Sequence, residues 1–156
     1  MRHFLTILLF GCALTMFGAV VPKNIQTLEL SAGWNLVALK GTPLDTQKFL
    51  ELKPMFYNAA SHSCVLCTED TEMVRGMALW IFSDVAKSVE VPLVSASVAA
   101  PEAQLGAGWN LVGTADDEPP WLERVVLPLF KWDVEQGRFV STETPEAGRG
   151  YWVKLK

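Results

Sequence analysis

The sequence predicts a β-rich α+β fold. Two homologous small antiparallel-sheet modules, each with one short helix, follow an N-terminal hydrophobic export segment. Three observations carry this. Leu30-Ser31-Ala32-Gly33-Trp34-Asn35-Leu36-Val37 returns 75 residues later as Leu105-Gly106-Ala107-Gly108-Trp109-Asn110-Leu111-Val112. A second aromatic signature, Ala78-Leu79-Trp80-Ile81, returns 72 residues later as Gly150-Tyr151-Trp152-Val153. The chain also opens on a long apolar run. A period of this length marks a small domain, since solenoid units are shorter. The expected boundaries are 1–22 for the export segment, 24–94 for module 1, 95–104 for a connector rich in small residues, and 105–156 for module 2.

Met1-Arg2-His3 precedes an apolar stretch from Phe4 to Val21 broken only by Thr6 and Thr15. A positive start followed by an apolar run is the pattern of a secretory signal. Three fates are open. The segment is cleaved, it is retained as an anchor because 18 residues just span a bilayer, or it is lipidated at Cys12, where Leu9-Phe10-Gly11-Cys12 resembles a lipobox. All three place the rest of the chain outside the cytoplasm, at the periplasm or cell surface.

Within module 1, residues 24–30 alternate apolar and polar and read as a half-buried strand. Ser31-Ala32-Gly33 is a turn into a strand over Trp34–Leu39, stopped by Gly41-Thr42-Pro43. Leu44–Leu52 reads as a short helix, with Thr42 or Asp45 as N-cap and Pro54 ending it. Met55–Ala60 and Cys64–Thr68 bracket a polar turn and read as a hairpin. Met77–Phe82 and Ser88–Val94 are further strands.

Module 2 repeats the order from Trp109–Val112. Asp116-Asp117-Glu118-Pro119-Pro120-Trp121 reads as a helix start, acidic in its first turn, with Trp121, Val125 and Val126 facing the core. Leu129–Val134 and Arg138–Ser141 flank the turn Glu135-Gln136-Gly137, and Tyr151–Leu155 closes the module.

The pair Gly108-Trp109-Asn110-Leu111-Val112 and Gly150-Tyr151-Trp152-Val153, with Phe130-Lys131-Trp132-Asp133 between, resembles a repeat found in predicted exported bacterial proteins. There a GWNL(I/V) strand is followed by an aromatic-Asp hairpin and a closing G(Y/F)WV strand. The first copy matches at Gly33–Val37 and loosely at Ala78-Leu79-Trp80. The resemblance implies accessory or surface modules and brings no established activity.

Hydrophobic residues make up 50% of the 156, and charged residues 19%, which is a globular composition. Two modules this small have thin cores alone, so they are expected to pack together with Trp supplying buried area. A net charge of −4 without a basic stripe argues against nucleic-acid binding.

What recurs is hydrophobic and turn chemistry, without a shared acid, base, nucleophile or metal ligand. The only chemically loaded cluster is His62-Ser63-Cys64-Val65-Leu66-Cys67. Three readings compete for it: a structural disulfide or thiol pair between Cys64 and Cys67, a redox dithiol, or a metal site completed by Glu69 or Asp70. It has no counterpart in module 2, where Arg138-Phe139-Val140 is set against Cys64-Val65-Leu66. Trp34, Trp80, Trp109 and Trp152 recur and read as core. Trp121 and Trp132 lack an aromatic counterpart and, with Tyr57, are the candidate ligand-stacking residues. Asp133 reads as a hairpin residue, since a lone Asp lacks the neighbouring acids of a Ca²⁺ loop.

Outside the export segment His62 is the only histidine, and no nucleophile elbow, P-loop or dinucleotide fingerprint occurs. The expected function is a non-catalytic exported binding or structural module, needing no cofactor, that contacts another envelope or surface protein. A carbohydrate or peptidoglycan binder, and a redox or metal protein working through Cys64 and Cys67, are the alternatives.

Overall fold

A computed structural model describes residues 24–94, 105–116 and 118–156. The export segment with Cys12, the connector and Asp117 lie outside the described residues. Ten strands form three antiparallel sheets among the described residues. β1 (Asn24–Leu30) pairs with β6 (Lys87–Leu93) as a two-stranded ribbon. β2 (Gly33–Ala38), β3 (Met55–Asn58), β4 (Ser63–Leu66) and β5 (Ala78–Ser83) make a four-stranded sheet in the order β2-β5-β3-β4. β7 (Gly108–Gly113), β8 (Val125–Asp133), β9 (Arg138–Thr142) and β10 (Gly150–Leu155) make another in the order β7-β10-β8-β9.

The two four-stranded sheets share strand order and register. Trp34 faces Phe82 and Leu36 faces Trp80 in one, and Trp109 faces Lys154 and Leu111 faces Trp152 in the other. Gly33 and Gly108 both have φ +100, a left-handed turn conformation that only glycine takes without strain. The following asparagines do the same work. Asn35 Nδ2 donates to the carbonyls of Ser31 (2.9 Å) and Gly33 (3.0 Å), and Asn110 Nδ2 donates to those of Gly106 and Gly108 (both 2.9 Å). Each amide thus closes the turn that starts its strand.

Strand alternation then decides the faces. Asn35, Val37 and Leu39, with Leu79 and Ile81, turn inward. Leu28, Leu30, Val91 and Leu93 of the ribbon cover them, together with Phe49, Cys67 and Met73. The second core is smaller: Val112, Trp121, Val125, Leu129, Tyr151, Val153 and Leu155. No ribbon flanks it among the described residues. Trp34, Leu36 and Ala38, with Ala78, Trp80 and Phe82, lie on the opposite face, towards the second sheet. There the smallest residues meet. A Cβ on Gly113 would lie 2.6 Å from Ala38 Cβ and 2.5 Å from the Gly76 carbonyl oxygen. One on Gly150 would lie 2.6 Å from Leu36 Cγ and 3.3 Å from Ala78 Cβ. Ala38 and Ala78 are register partners, as are Gly113 and Gly150, so the sheets touch through equivalent positions.

Several expectations change. The first helix, α1, is shorter than Leu44–Leu52. It spans Thr46–Leu50, and Asp45 caps it by accepting from the Lys48 amide. The second is a 3-10 turn over Pro120–Arg124, not an α-helix. Paired prolines at 119 and 120 open it, and β-branched Val125 and Val126 begin the long strand β8. Val125 is buried but Val126 is 43% exposed. Asp116 does not cap this turn; its carboxylate takes the Arg75 guanidinium at 2.5 and 2.6 Å. Asp133 is a hairpin residue, accepting from the Gln136 amide at 2.9 Å.

The tryptophans divide differently from the expectation. Trp34 and Trp109 are 43% and 57% exposed, each alternating along its strand with an asparagine that is buried at Asn35 and half-buried at Asn110. Trp121, read both as facing the core and as a candidate ligand-stacking residue, is 5% exposed, with its indole N–H 3.4 Å from the Gly113 carbonyl. No helix among the described residues is long and apolar enough to cross a membrane.

Candidate functional site

Shared register lets the two ends of the interface between the sheets be compared position by position. The hairpins β3–β4 and β8–β9 also align: Met55 pairs with Trp80 as Phe130 pairs with Trp152. Tyr57 therefore stands where Trp132 stands. Cys64, opposite Tyr57, stands where Phe139 does, opposite Trp132. This places the hairpin equivalence one residue away from the sequence alignment of Cys64 with Arg138, and it supplies Trp132 with an aromatic counterpart.

At the first corner, rings fill the space. Trp132 from the second sheet packs edge-on against Trp80 of the first at 5.1 Å between centroids. Phe139 touches both, at 5.2 Å from Trp132 and 6.0 Å from Trp80. Trp34 closes on Trp80 at 6.3 Å and on Phe82 at 5.2 Å. The Trp132 indole N–H then donates to the Trp34 carbonyl at 2.8 Å, tying the two sheets at an exposed position.

At the second corner only one equivalent ring contact persists, Tyr57 against Trp152 at 4.9 Å. The Tyr57 hydroxyl bonds His62 Nδ1 at 3.2 Å instead of reaching across to Trp109. Trp109 tilts onto Phe130 of its own sheet at 5.8 Å. Beside it runs a groove of about 780 Å³. Tyr57, Trp109, Leu111 and Trp121 line it, and Asp70, Glu72, Arg75 and Asp116 mark its polar rim. The volume lies within the range of ligand clefts, about 300–1,000 Å³. The structure thus brings Tyr57 and Trp121 to one groove and leaves Trp132 in the packed corner. Trp109, read as core in the sequence, is the exposed ring of the groove. Its signal was its place at the start of the strand, next to the turn that Asn110 closes.

The cysteines sit apart from this. Cys64 is exposed and Cys67 is buried, and neither is bonded to the other. Three residues of near-extended chain separate their Cα atoms by roughly 10 Å, beyond the roughly 7 Å that a disulfide tolerates. Of the two forms expected for this pair, disulfide or thiols, the structure has the thiols. Burial pushes the Cys67 thiol up to about 11, the reverse of what a reactive thiolate needs. Among the described residues no group of three or more His, Cys, Asp or Glu side chains is placed to hold a metal ion. Glu69, a suggested fourth ligand, accepts from Gln47 Nε2 at 3.2 Å. Burial also raises the Tyr151 phenol, whose oxygen accepts from the Glu146 amide at 2.8 Å.

Comparison with family models, with curated proteins and with solved structures finds no match to this chain.

Proposed function

We propose that this chain is a non-catalytic exported binding module, built from two copies of one small sheet unit, that holds a partner in the groove beside Trp109. The observation that carries the reading is the inequality of the two corners. Where the second sheet supplies Trp132 and Phe139 the space is packed, and where the first supplies Tyr57 and Cys64 a groove of about 780 Å³ remains, with Trp109 57% exposed at its side. Pockets with a few polar groups around an aromatic floor are the usual places for ligands. The opening run Met1-Arg2-His3 and Phe4–Val21 supports export, at the periplasm or cell surface, with membrane attachment if the run is retained. The partner on this reading is another envelope or surface protein.

A glycan is the second reading, and its support is the same exposed Trp109, whose flat face suits a sugar ring. It rests on Trp109 and Tyr57, since Trp121 is buried and Trp132 is committed to Trp80 and Phe139.

A photo-crosslinking amino acid placed at Trp109 or, as a control, at the equally exposed Val85 tests the reading in cells producing the full chain. A discrete adduct from position 109 and none from 85 supports it, and equal labelling from both contradicts it. Intact mass of the protein from a membrane fraction tests the export segment. A chain starting near residue 14 or 20 means cleavage, one starting at an acylated Cys12 means lipidation, and the full-length mass means an anchor. A full-length chain confined to the cytosol contradicts export.

A further inference from the structure

The groove is bounded on one side by a strand edge. On β2 the Ala38 amide donates outward to the Gly148 carbonyl at 2.9 Å and the Trp34 carbonyl accepts the Trp132 indole, so residues 34, 36 and 38 turn their backbone groups away from β5. Val37 also forms a bridge with Arg149, which covers that edge. By the shared register Trp109, Leu111 and Gly113 turn theirs away from β10. The Gly113 amide donates to the Gly76 carbonyl at 3.0 Å. Beyond it, at Leu111 and Trp109, no strand among the described residues pairs with β7 on that side. The side chain that would replace the Trp132 bond, Tyr57, has its hydroxyl hydrogen-bonded to His62 Nδ1. The edge therefore opens into the groove over the very residues that line it.

The rim adds a charge preference. The charged residues lining the groove are Asp70, Glu72, Asp116 and one cation, Arg75, which is bound to Asp116. Among the described residues neither Asp70 nor Glu72 has an ion-pair partner.

We infer that the groove takes an extended polypeptide segment of the partner, added as a strand to the free edge of β7, with apolar side chains over Trp109 and Leu111 and basic side chains among Asp70 and Glu72. This rests on the groove being the binding face. Unused amide and carbonyl groups along a strand reward a peptide, which brings complementary groups at the same spacing. A sugar chain does not match that spacing. The two surplus carboxylates select basic over acidic segments and speed their arrival.

The test is titration of the full chain with short capped peptides, followed by Trp fluorescence and backbone amide NMR shifts. The probes are an alternating lysine–valine peptide, its glutamate–valine counterpart, the lysine peptide N-methylated at alternate amides, and a soluble peptidoglycan fragment. The lysine peptide is expected to bind roughly ten-fold more tightly than the glutamate peptide, and to lose roughly ten-fold on N-methylation. It should shift the amides of Trp109 and Leu111 while leaving Trp34 and Leu36 in place. Asp70→Asn with Glu72→Gln, both at exposed positions, should remove most of the charge preference and leave N-methyl sensitivity intact. Equal binding of the two charge forms, or full binding of the N-methylated peptide, overturns the strand-addition proposal. So does binding of the peptidoglycan fragment alone, which leaves the groove itself as a binding face. Failure of every probe to perturb Trp109, together with no crosslink at position 109, overturns the groove as well.

Discussion

The two corners of the interface between the sheets share register and differ in a few side chains, and the exchange of Trp132 and Phe139 for Tyr57 and Cys64 goes with the change from a packed joint to a groove. With Trp132 and Phe139 the joint is solid and its one exposed carbonyl is satisfied; with Tyr57 and Cys64 the ring on the facing strand loses its neighbours and tilts away. The lesson is that two sheets of the same strand order can keep a ring contact at one end of their interface and leave the other end open. The backbone positions where the sheets touch do not differ in the same way: Ala38, Ala78, Gly113 and Gly150 are all small.

That common seam is the place where the comparison breaks most violently. Gly113→Ala puts a methyl against the Gly76 carbonyl and the Ala78 amide, both backbone, and is expected to cost about 3 kcal/mol. Gly150→Ala presses on Leu36 Cγ and Ala78 Cβ, side-chain rather than backbone atoms, and should cost less, about 2 kcal/mol. Chemical denaturation of the two variants side by side checks the order, and equal losses would mean the sheets do not meet there.

The next largest effect separates the corners themselves. Trp132→Ala removes the ring against Trp80 and Phe139 and the bond to the Trp34 carbonyl, for about 3 kcal/mol. Tyr57→Ala removes one ring contact and a surface hydrogen bond, for about 1 kcal/mol. Equal midpoint shifts on urea unfolding would contradict the packed-versus-open distinction.

The turn asparagines extend the contrast to the cores. Asn35 is 5% exposed and accepts from Ser31 as well as donating, so Asn35→Ala should cost about 2 kcal/mol. The more open Asn110 should cost about 1 kcal/mol.

The smallest effect would sharpen the comparison by reversal. Cys64→Phe supplies the missing ring beside Tyr57 and Trp152, and should add about 1 kcal/mol of stability while blunting any groove ligand. In the parent protein, maleimide at neutral pH should label Cys64 and spare Cys67, whose thiol burial holds near 11. The unfolded thiol titrates lower, near 9. Stability from the buried neutral thiol is therefore complete below about pH 9 and falls as pH rises towards 11. A Cys67→Ala variant should flatten that alkaline slope.

Much of the sheet framework was legible in the sequence because alternation and turn glycines are local signals. The strands after Ser31-Ala32-Gly33 and after Gly106-Ala107-Gly108, and the hairpin about Glu135-Gln136-Gly137, lie where those signals put them. The second helix misled because Asp116 and its neighbours look like a helical first turn, while the real partner of Asp116 is Arg75, 41 residues away. The tryptophans misled for a similar reason. Recurrence marks an equivalent position, and equivalent positions on an interface can be half-open as easily as buried. Nothing in the order of residues says that Trp132 crosses to Trp80, so the groove beside Trp109 had no sequence signal of its own.

The most direct measurement is the ¹⁹F NMR spectrum of the full chain labelled with 5-fluorotryptophan, assigned by single Trp→Phe variants and titrated with the alternating lysine–valine peptide. The account predicts that Trp109 moves most, that buried Trp121 follows because it lines the same groove, and that Trp34, Trp80 and Trp132 stay fixed. Movement of Trp132 or Trp34 equal to that of Trp109 would contradict it, and so would a spectrum in which no resonance responds.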